Sequence, residues 1–546
     1  METALLVGLI VADGNEYRFT HALVREAVYA RVPLGRRRQL HGALAVLLEQ
    51  RFGGARLAEI AHHHAQAGPD HARAAWSSAV RAAGVAARQP APAEAARLQL
   101  LAQASVQRDT TATATDRYDV LVGLARAQKR AGQERQAGEA ARAAAEIALA
   151  DGNALTAAEA VVGITADGVW SWREYQVVDV QGVALIERLL REVPPGAEVI
   201  RARLLAALAG EIYYDPDAGR RAVELSTEAE RLVRGRDGDE LARVLELRHL
   251  AYERPQLLSE RLAAANELVD LAESADDPVA LARALVFRGR DQMEQGDLAA
   301  GLRDYQRARV LAQTHAHAPV LVALVWADAV IAIARGRFAE AEEAMAAAGR
   351  FHSLTTVAGA AEVPMAVTAT LHLVRGSLPS IEPMLAAAAT ATGLSLLRDW
   401  HALALVEAGR ATQVRSDLGP WKLQPDIATD YLSLTHLAIR AELWSRLASP
   451  DAAADLLGQL APYAERLVIG GTGISVTGFA GHQVGLLART CGDLDQAIEH
   501  LAMALDRHQQ AGLRPFAAAS ARELAITLRQ RGRPADHVRA ASLGTP

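Results

Sequence analysis

The stretch Gly289–Leu311, "GRDQMEQGDLAAGLRDYQRARVL", decides the fold. It leaves one helix-like segment, crosses a break at Gly296-Asp297 and enters a second. Gly289 is followed twelve residues on by Gly301, then by Tyr305 and Ala308. "GEIYYDPDAGRRAVELSTEAERL" places Gly210, Ala222, Ser226 and Ala229 at the same offsets, and "GLLARTCGDLDQAIEHLAMAL" places Gly485, Ala497, Leu501 and Ala504 there. Looser copies run through Ala125, Ala137, Ala141 and Ala144, and through Ala329, Ala341, Met345 and Ala348. A glycine inside a helix costs about 1 kcal/mol relative to alanine. Its recurrence at one register points to a helical hairpin in which small residues let two backbones approach closely.

The turns recur too. Gly296, Gly336 and Gly376 lie forty residues apart, with Gly409 and Gly492 marking later turns. Asp277-Pro278 offers a capping carboxylate followed by proline at the first helical position, and Asp215-Pro216 and Ser449-Pro450 look alike. The spacing resembles the tetratricopeptide repeat, with a period nearer forty than the usual thirty-four. The resemblance implies an all-α, tetratricopeptide-like α-solenoid, with first helices lining a groove.

The 546 residues exceed one compact core. Aromatics make up 4% of the chain, and charged residues, at 22%, exclude a disordered composition. The net charge of −6 leaves no broad positive field for nucleic acid, and Arg36-Arg37-Arg38 reads as a solvated helix start. One cysteine, Cys491, excludes an intramolecular disulfide. The apolar run Val320–Ala334 contains Asp328 and is shorter than the roughly 20 residues of a membrane span. The expectation is a cytoplasmic protein with no metal, no catalytic site, no membrane contact and no direct nucleic-acid binding. Its oligomeric state is open.

The first forty residues read differently. Leu9–Val11 and Tyr17–Phe19 form a hairpin around Asp13-Gly14-Asn15, and Thr20 is placed to cap a helix with an apolar face of Leu23, Val24, Ala27 and Val28. "YRFTHALVREAVYARVPLGRRRQLH", with "AEIAHHHAQAG" (58–68), "AARLQLLAQA" (95–104), "VWSWREYQVVD" (169–179) and "APYAERLVIGGTGISVTG" (461–478), resembles the end of the winged-helix domain and the helical half of STAND-class ATPase regulators. The likeness is to actinobacterial transcriptional activators of the antibiotic-regulatory or LuxR-associated type. It implies residues 1–38 as a winged-helix remnant, 39–110 as linking helices and first hairpins, and 111–546 as the repeat array.

In that class a histidine at the wing-to-helix junction contacts the diphosphate of ADP, a role the resemblance carries to His21. The related motif in other branches of the class is Met-His-Asp, where this chain reads Thr20-His21-Ala22. No Gly-rich loop ending in Lys-Ser or Lys-Thr occurs, and neither Lys129 nor Lys422 sits in such a loop. The expectation is therefore a chain that begins after its nucleotide module, with no cofactor of its own and ATP or ADP only where that module is present.

Three further features invite a functional reading. His62-His63-His64 cannot converge on one ion, since successive helical side chains point about 100° apart. "GGTGISVTG" (470–478) superficially resembles a nucleotide loop, but with no lysine in place it reads as a flexible connection between repeats. Trp170, Trp172, Arg173 and Tyr175 concentrate interface-type residues in one loop and are candidates for partner or ligand contact. Trp326, Trp400 and Trp444 read as core. The functional expectation is a regulatory repeat region that binds a protein partner or small effector in its groove to control an absent ATPase module. The alternatives are the repeat half of an adenylate-cyclase-type signalling protein and a free-standing scaffold.

Overall fold

The computed structural model describes residues 9–13, 16–89, 91–165, 169, 175–215, 217–236, 238–355, 359, 362–417 and 429–543. Two compact units divide the chain, Met1–Ala160 and Val161–Pro546. The fold is an all-α, tetratricopeptide-like α-solenoid of helical hairpins, preceded by a short β-hairpin and helix.

In the first unit β1 (Ile10–Asp13) pairs antiparallel with β2 (Glu16–Phe19), Ile10 opposite Phe19. Thr20 Oγ1 donates to Leu9 O at 3.0 Å, closing the hairpin. It is His21, not Thr20, that precedes α1 (Ala22–Arg31), and His21 makes no side-chain cap bond. Six helices follow: α2 (Leu34–Phe52), α3 (Leu57–Ala67), α4 (Ala72–Ala87), α5 (Pro92–Val106), α6 (Ala114–Arg130) and α7 (Glu134–Ala150). Alanines dominate their contacts. Ala82, Ala83 and Ala86 of α4 lie buried with Ala95, Ala96 and Leu98 of α5, so the helices approach closely. A further helix, α8 (Ala154–Val162), crosses the boundary between the units.

The second unit opens with α9 (Val180–Glu192) and continues as nine successive helix pairs among the described residues, eight of them packed as hairpins. These are α10/α11 (Glu198–Glu211, Gly219–Val233), α12/α13 (Gly238–Ala251, Leu258–Ser274), α14/α15 (Pro278–Gln295, Leu298–Thr314) and α16/α17 (Ala318–Ala334, Phe338–Ser353). Then come α18/α19 (Glu362–Arg375, Glu382–Thr392), α20/α21 (Ser395–Glu407, Ala411–Asp417) and α22/α23 (Ser433–Arg446, Pro450–Leu460). Last are α24/α25 (Gly481–Thr490, Leu494–Gln510) and α26/α27 (Arg514–Arg531, Pro534–Ser542). Asp277 caps α14, its carboxylate accepting from the N–H groups of Val279 and Ala280 at 3.0 and 2.9 Å. Ser449 precedes α23 without a side-chain cap bond. The turn residues Gly296, Gly336 and Gly376 have φ of +108°, +76° and +74°, a region that costs other L-residues strain.

Trp326 on α16 is buried and donates from Nε1 to His352 Nδ1 at 3.2 Å, while Trp400 and Trp444 are buried in a second apolar cluster. The apolar run Val320–Ala334 belongs to α16, which is packed into the main core. No described helix is long and apolar enough to cross a membrane.

The segment 467–479 is not a flexible connection. It forms an antiparallel hairpin, β3 (Leu467–Gly470) and β4 (Ser475–Phe479), and every residue of both strands is buried. Leu467 and Ile469 join one apolar cluster and Val468 the other, so both faces of β3 are covered. The strands touch α14, α16, α18, α22, α24 and α25. The hairpin thus occupies space among the first helices of the repeats. Tyr305 on α15 anchors its tip, donating from Oη to Thr472 O at 3.1 Å.

His508 on α25 anchors the other end, its Nε2 accepting from Phe479 N–H at 2.8 Å. Accepting requires a neutral ring. Burial foremost, with His482 adding repulsion, pulls the His508 pKa down to about 3. Because the folded value lies below the unfolded one of about 6.5, the contribution is present in full above that pH and is lost as pH falls towards 3. A His508→Gln chain should therefore be the less stable at pH 7. The gap should narrow by about 1.4 kcal/mol per pH unit below about pH 6. Urea unfolding of both chains between pH 7 and 5 checks this, and a constant gap would refute it.

Candidate functional site

The repeat-packing residues come together in pairs. Gly289 on α14 faces Gly301 on α15, and a Cβ added at Gly289 would sit 2.9 Å from Gly301 O and 2.8 Å from the Tyr305 ring. A Cβ at Gly485 would meet the Leu501 side chain at 2.6 Å and Ala497 O at 3.1 Å. Gly210 on α10 and Ala222, Ser226 and Ala229 on α11 are buried, as are Ala308, Ala497 and Ala504. These residues build the scaffold and do not form a binding surface.

Of the four loop residues singled out by composition, Trp170, Trp172 and Arg173 lie outside the described residues. Tyr175 is half-buried in an aromatic cluster assembled from three distant segments. Its ring meets Tyr214 edge-on at 5.6 Å between centroids and Tyr431 at 5.8 Å, and Tyr214 meets Tyr213 at 4.9 Å. Asp430 is buried beside them. Burial raises its carboxyl to about 6, although the Leu432 N–H and the Tyr175 hydroxyl both favour the charged form. Tyr213 donates to Glu253 O at 2.8 Å, and Arg254 Nη2 donates to Tyr213 O at 3.1 Å.

Below this cluster runs a buried ionic network. His249 Nε2 contacts Asp291 Oδ2 at 2.8 Å and stacks on Phe287 at 4.4 Å between centroids. Arg290 bridges Glu253 at 2.6 Å and Asp291 at 3.3 Å, and Arg261 pairs with Glu294 and Asp291. Arg466, just before β3, reaches Glu294 at 3.2 Å and bonds Pro255 O. The network ties α12, α13 and α14 to the base of the hairpin. Every carboxylate in it has a cationic partner, which marks it as a structural clamp.

A cavity of about 660 Å³ opens where the ends of α18, α20 and α22 meet α24, α26 and β4. Its wall carries Arg375, Arg446, Arg489 and Arg522 against Glu407, Glu442 and Glu523, with Leu373, Leu486 and Phe516 as apolar patches. Arg446 pairs with Glu407 at 2.8 Å, and Arg489 with Glu523 at 2.7 Å. Burial raises the Glu407 pKa against the pull of Arg446, with Glu442 adding to the rise. His482 is held neutral, because burial lowers its pKa more than Glu442 raises it. A volume of several hundred cubic ångströms with converging polar groups is the size of a small-ligand site.

His21 is exposed at the start of α1. The histidine run on α3 does not converge. His63 meets His41 Nδ1-to-Nδ1 at 2.7 Å, while His64 is buried and meets His71 at 3.1 Å. Among the described residues no group of three or more histidines, cysteines or carboxylates is arranged to hold a metal.

Sequence reasoning found Tyr175 but not Asp430, Tyr431, Thr477, Gln483 or the arginines of the cavity. One signal was available. Ion pairs join neighbouring first helices at repeat spacing, as in Arg203–Glu240 and Arg283–Glu246, both 37 residues apart, and Arg446–Glu407, 39 apart.

No family model matches the chain. No curated protein matches it either. Among solved structures, the chain is similar over 95% of its length to a chain of the APC/C hetero-tetramer Cut9–Hcn1, at 11% identity, 92% coverage of that chain and a TM-score of 0.42. A STAND protein with a tetratricopeptide repeat sensor from Pyrococcus horikoshii matches 57% of this chain and 57% of its own, at 13% identity and a TM-score of 0.19. A circular tandem repeat protein with novel repeat topology matches 93% of this chain and 98% of its own, at 14% identity and a TM-score of 0.14. At these scores the likenesses carry no further argument, and the repeat architecture rests on the helical hairpins themselves.

Proposed function

We propose that this chain is the sensing region of a STAND-type transcriptional regulator, a repeat scaffold that takes a protein partner or small effector and controls an ATPase module. The supporting observation is a set of exposed apolar side chains on the first helices of the first unit. Helix α1 has no buried residue, and Leu23, Val28, Leu34 and Leu47 are exposed at 67%, 47%, 57% and 54%. We read these exposed side chains as a surface that a partner covers. They lie in and beside the segment whose sequence resembles the end of a winged-helix domain, so its remainder and the nucleotide module are the proposed cover. His21, exposed at the wing-to-helix junction, is the proposed contact to ADP phosphate in the intact assembly. Effector binding among the repeats would favour one arrangement of scaffold and module over another, by as much as its affinity for the two differs.

The test starts with the genomic reading frame upstream of Met1. An open frame that contains a Gly-rich loop ending in Lys-Ser or Lys-Thr is expected. The module it encodes, expressed separately, should bind this chain and fail to bind a Leu23→Asp/Leu47→Asp variant. A frame without such a loop, or a module indifferent to the variant, would sink the reading.

A further inference from the structure

Histidines meet in two pairs where the first helices pack, and the repeat scaffold makes no use of them. His41 of α2 meets His63 of α3 Nδ1-to-Nδ1 at 2.7 Å. His64 of α3 meets His71, at the end of the short 3-10 turn Pro69–His71, Nδ1-to-Nδ1 at 3.1 Å. A fifth ring, His62, stands edge-on to His41 and His63, at 6.4 and 5.6 Å between centroids. Tyr29 of α1 joins the first pair, its hydroxyl 2.9 Å from His41 Nε2, and Arg37 lies over the Tyr29 ring at 5.0 Å. One chain of contacts therefore runs from α1 through α2 to α3.

Such contacts have a fixed proton capacity. Two imidazole nitrogens at hydrogen-bond distance share one N–H, so one of them keeps its lone pair. The pair can close with both rings neutral or with one charged. With both charged, two N–H groups face each other and the contact is lost. Once apart, each ring takes its own proton near the ordinary pKa of about 6.5. Opening is thus linked to uptake of at least one further proton per pair.

The surroundings favour the neutral, closed form. Burial foremost lowers the His41 pKa, with His62 and Arg37 adding repulsion. Burial also lowers His63, helped by His41, His62 and His64 and opposed by Glu59. For His64 burial outweighs the pull of Glu49, whose Oε1 lies 3.6 Å from Nε2, and His71 adds to the fall. Glu59 is shared with Arg56 at 3.4 Å, and Asp70 is exposed in the turn beside His71. Among the described residues no charged group of α4 or α5 is bonded to these rings. Arg73 of α4 is held by Asp109 and Asp116 at 3.2 and 3.6 Å, and Glu94 and Arg97 of α5 hold each other at 2.7 Å.

We propose that the two histidine pairs form an acid-released latch, which holds α1 and α2 against α3 and lets them go when the pairs take up protons. Leu23 lies on α1, and Leu34 and Leu47 on α2, so release would withdraw their surface from the nucleotide module. That regulatory purpose rests on the covering proposed above, whereas the latch is a property of this chain alone.

The test is hydrogen exchange of the full chain, read by mass spectrometry at pH 7.5 and 5.5 and corrected for the intrinsic pH dependence of exchange. Peptides from 22–67 should lose protection by about tenfold, or about a hundredfold where both pairs open together. The reference is α6 and α7, since residues 114–150 contain no histidine and should hold their protection. A His41→Gln/His64→Gln chain leaves one titrating ring in each pair, and the amide oxygen accepts from that ring whether it is neutral or charged. Its corrected protection should differ by less than about threefold between the two pH values. Equal protection of 22–67 at both pH values in the parent chain would overturn the latch, whether or not the variant folds. A loss that persists undiminished in the variant would overturn it too, by placing the titrating group elsewhere. A module that binds equally well at both pH values would refute the regulation, while one that never binds at pH 7.5 would count against the covering alone.

Discussion

Gly301→Val is expected to destabilise the unit 161–546 by about 3 kcal/mol or more. The α14/α15 hairpin has no space for a side chain there. A Cβ at Gly301 would collide with the Met293 side chain and with the backbone oxygen of Gly289, and the backbone cannot yield as a flexible side-chain end can. Valine adds two further carbons to that collision. The damage should spread, because Tyr305 packs on Gly289 and also holds Thr472 at the tip of the β3–β4 hairpin. The control is Gly458→Ala on α23, where an added Cβ meets nothing within 4 Å. It should stabilise by up to about 1 kcal/mol through helix propensity. Thermal melts followed by circular dichroism separate the two, and equal small effects would disprove the close approach of α14 and α15.

Asp291→Ala should cost about 3–5 kcal/mol, the range for removing one partner of a buried charge network. Asp291 is fully buried, and its loss strands His249, Arg261 and Arg290 without their shared carboxylate. Burial alone would raise its pKa. Arg261 and His249, with the His249 hydrogen bond and Arg290, overcome that and hold the carboxyl well below the ordinary range. Since the folded pKa lies under the unfolded value of about 3.9, its contribution is complete above that pH and drains away as pH falls through the acid range. Urea midpoints at pH 7 and at pH 3 give the measurement. The parent chain should lose stability between them, and the variant should be low at pH 7 and lose less. A variant within half a kilocalorie of the parent at pH 7, on the order of measurement error, would show that the network is not a clamp.

The scaffold was legible because its determinants are local and periodic. Small residues at Gly289, Gly301 and Ala308 recur at helical spacing, and glycines at Gly296, Gly336 and Gly376 mark turns that do take left-handed φ. The β3–β4 hairpin was not legible for the converse reason. Alternation of apolar and polar residues marks a strand with one wet face, whereas both faces of this hairpin are covered and all its residues are buried. Polar residues such as Ser475 and Thr477 therefore read as loop until tertiary packing encloses them.

The site shows the same division. Tyr175 could be singled out by composition, but Asp430 and Tyr431 reach it from some 250 residues further along the chain. The cavity draws on α18, α20, α22, α24, α26 and β4, and no spacing rule joins Ser445 to Thr477 and Gln483. Helix, turn and repeat are short-range consequences of which residues stand three, four, twelve or forty apart, and the sequence alone determined those. What fills the space among the repeats, and which polar atoms are left unmet there, depends on how many helices converge at one point. Only the tertiary structure decided that.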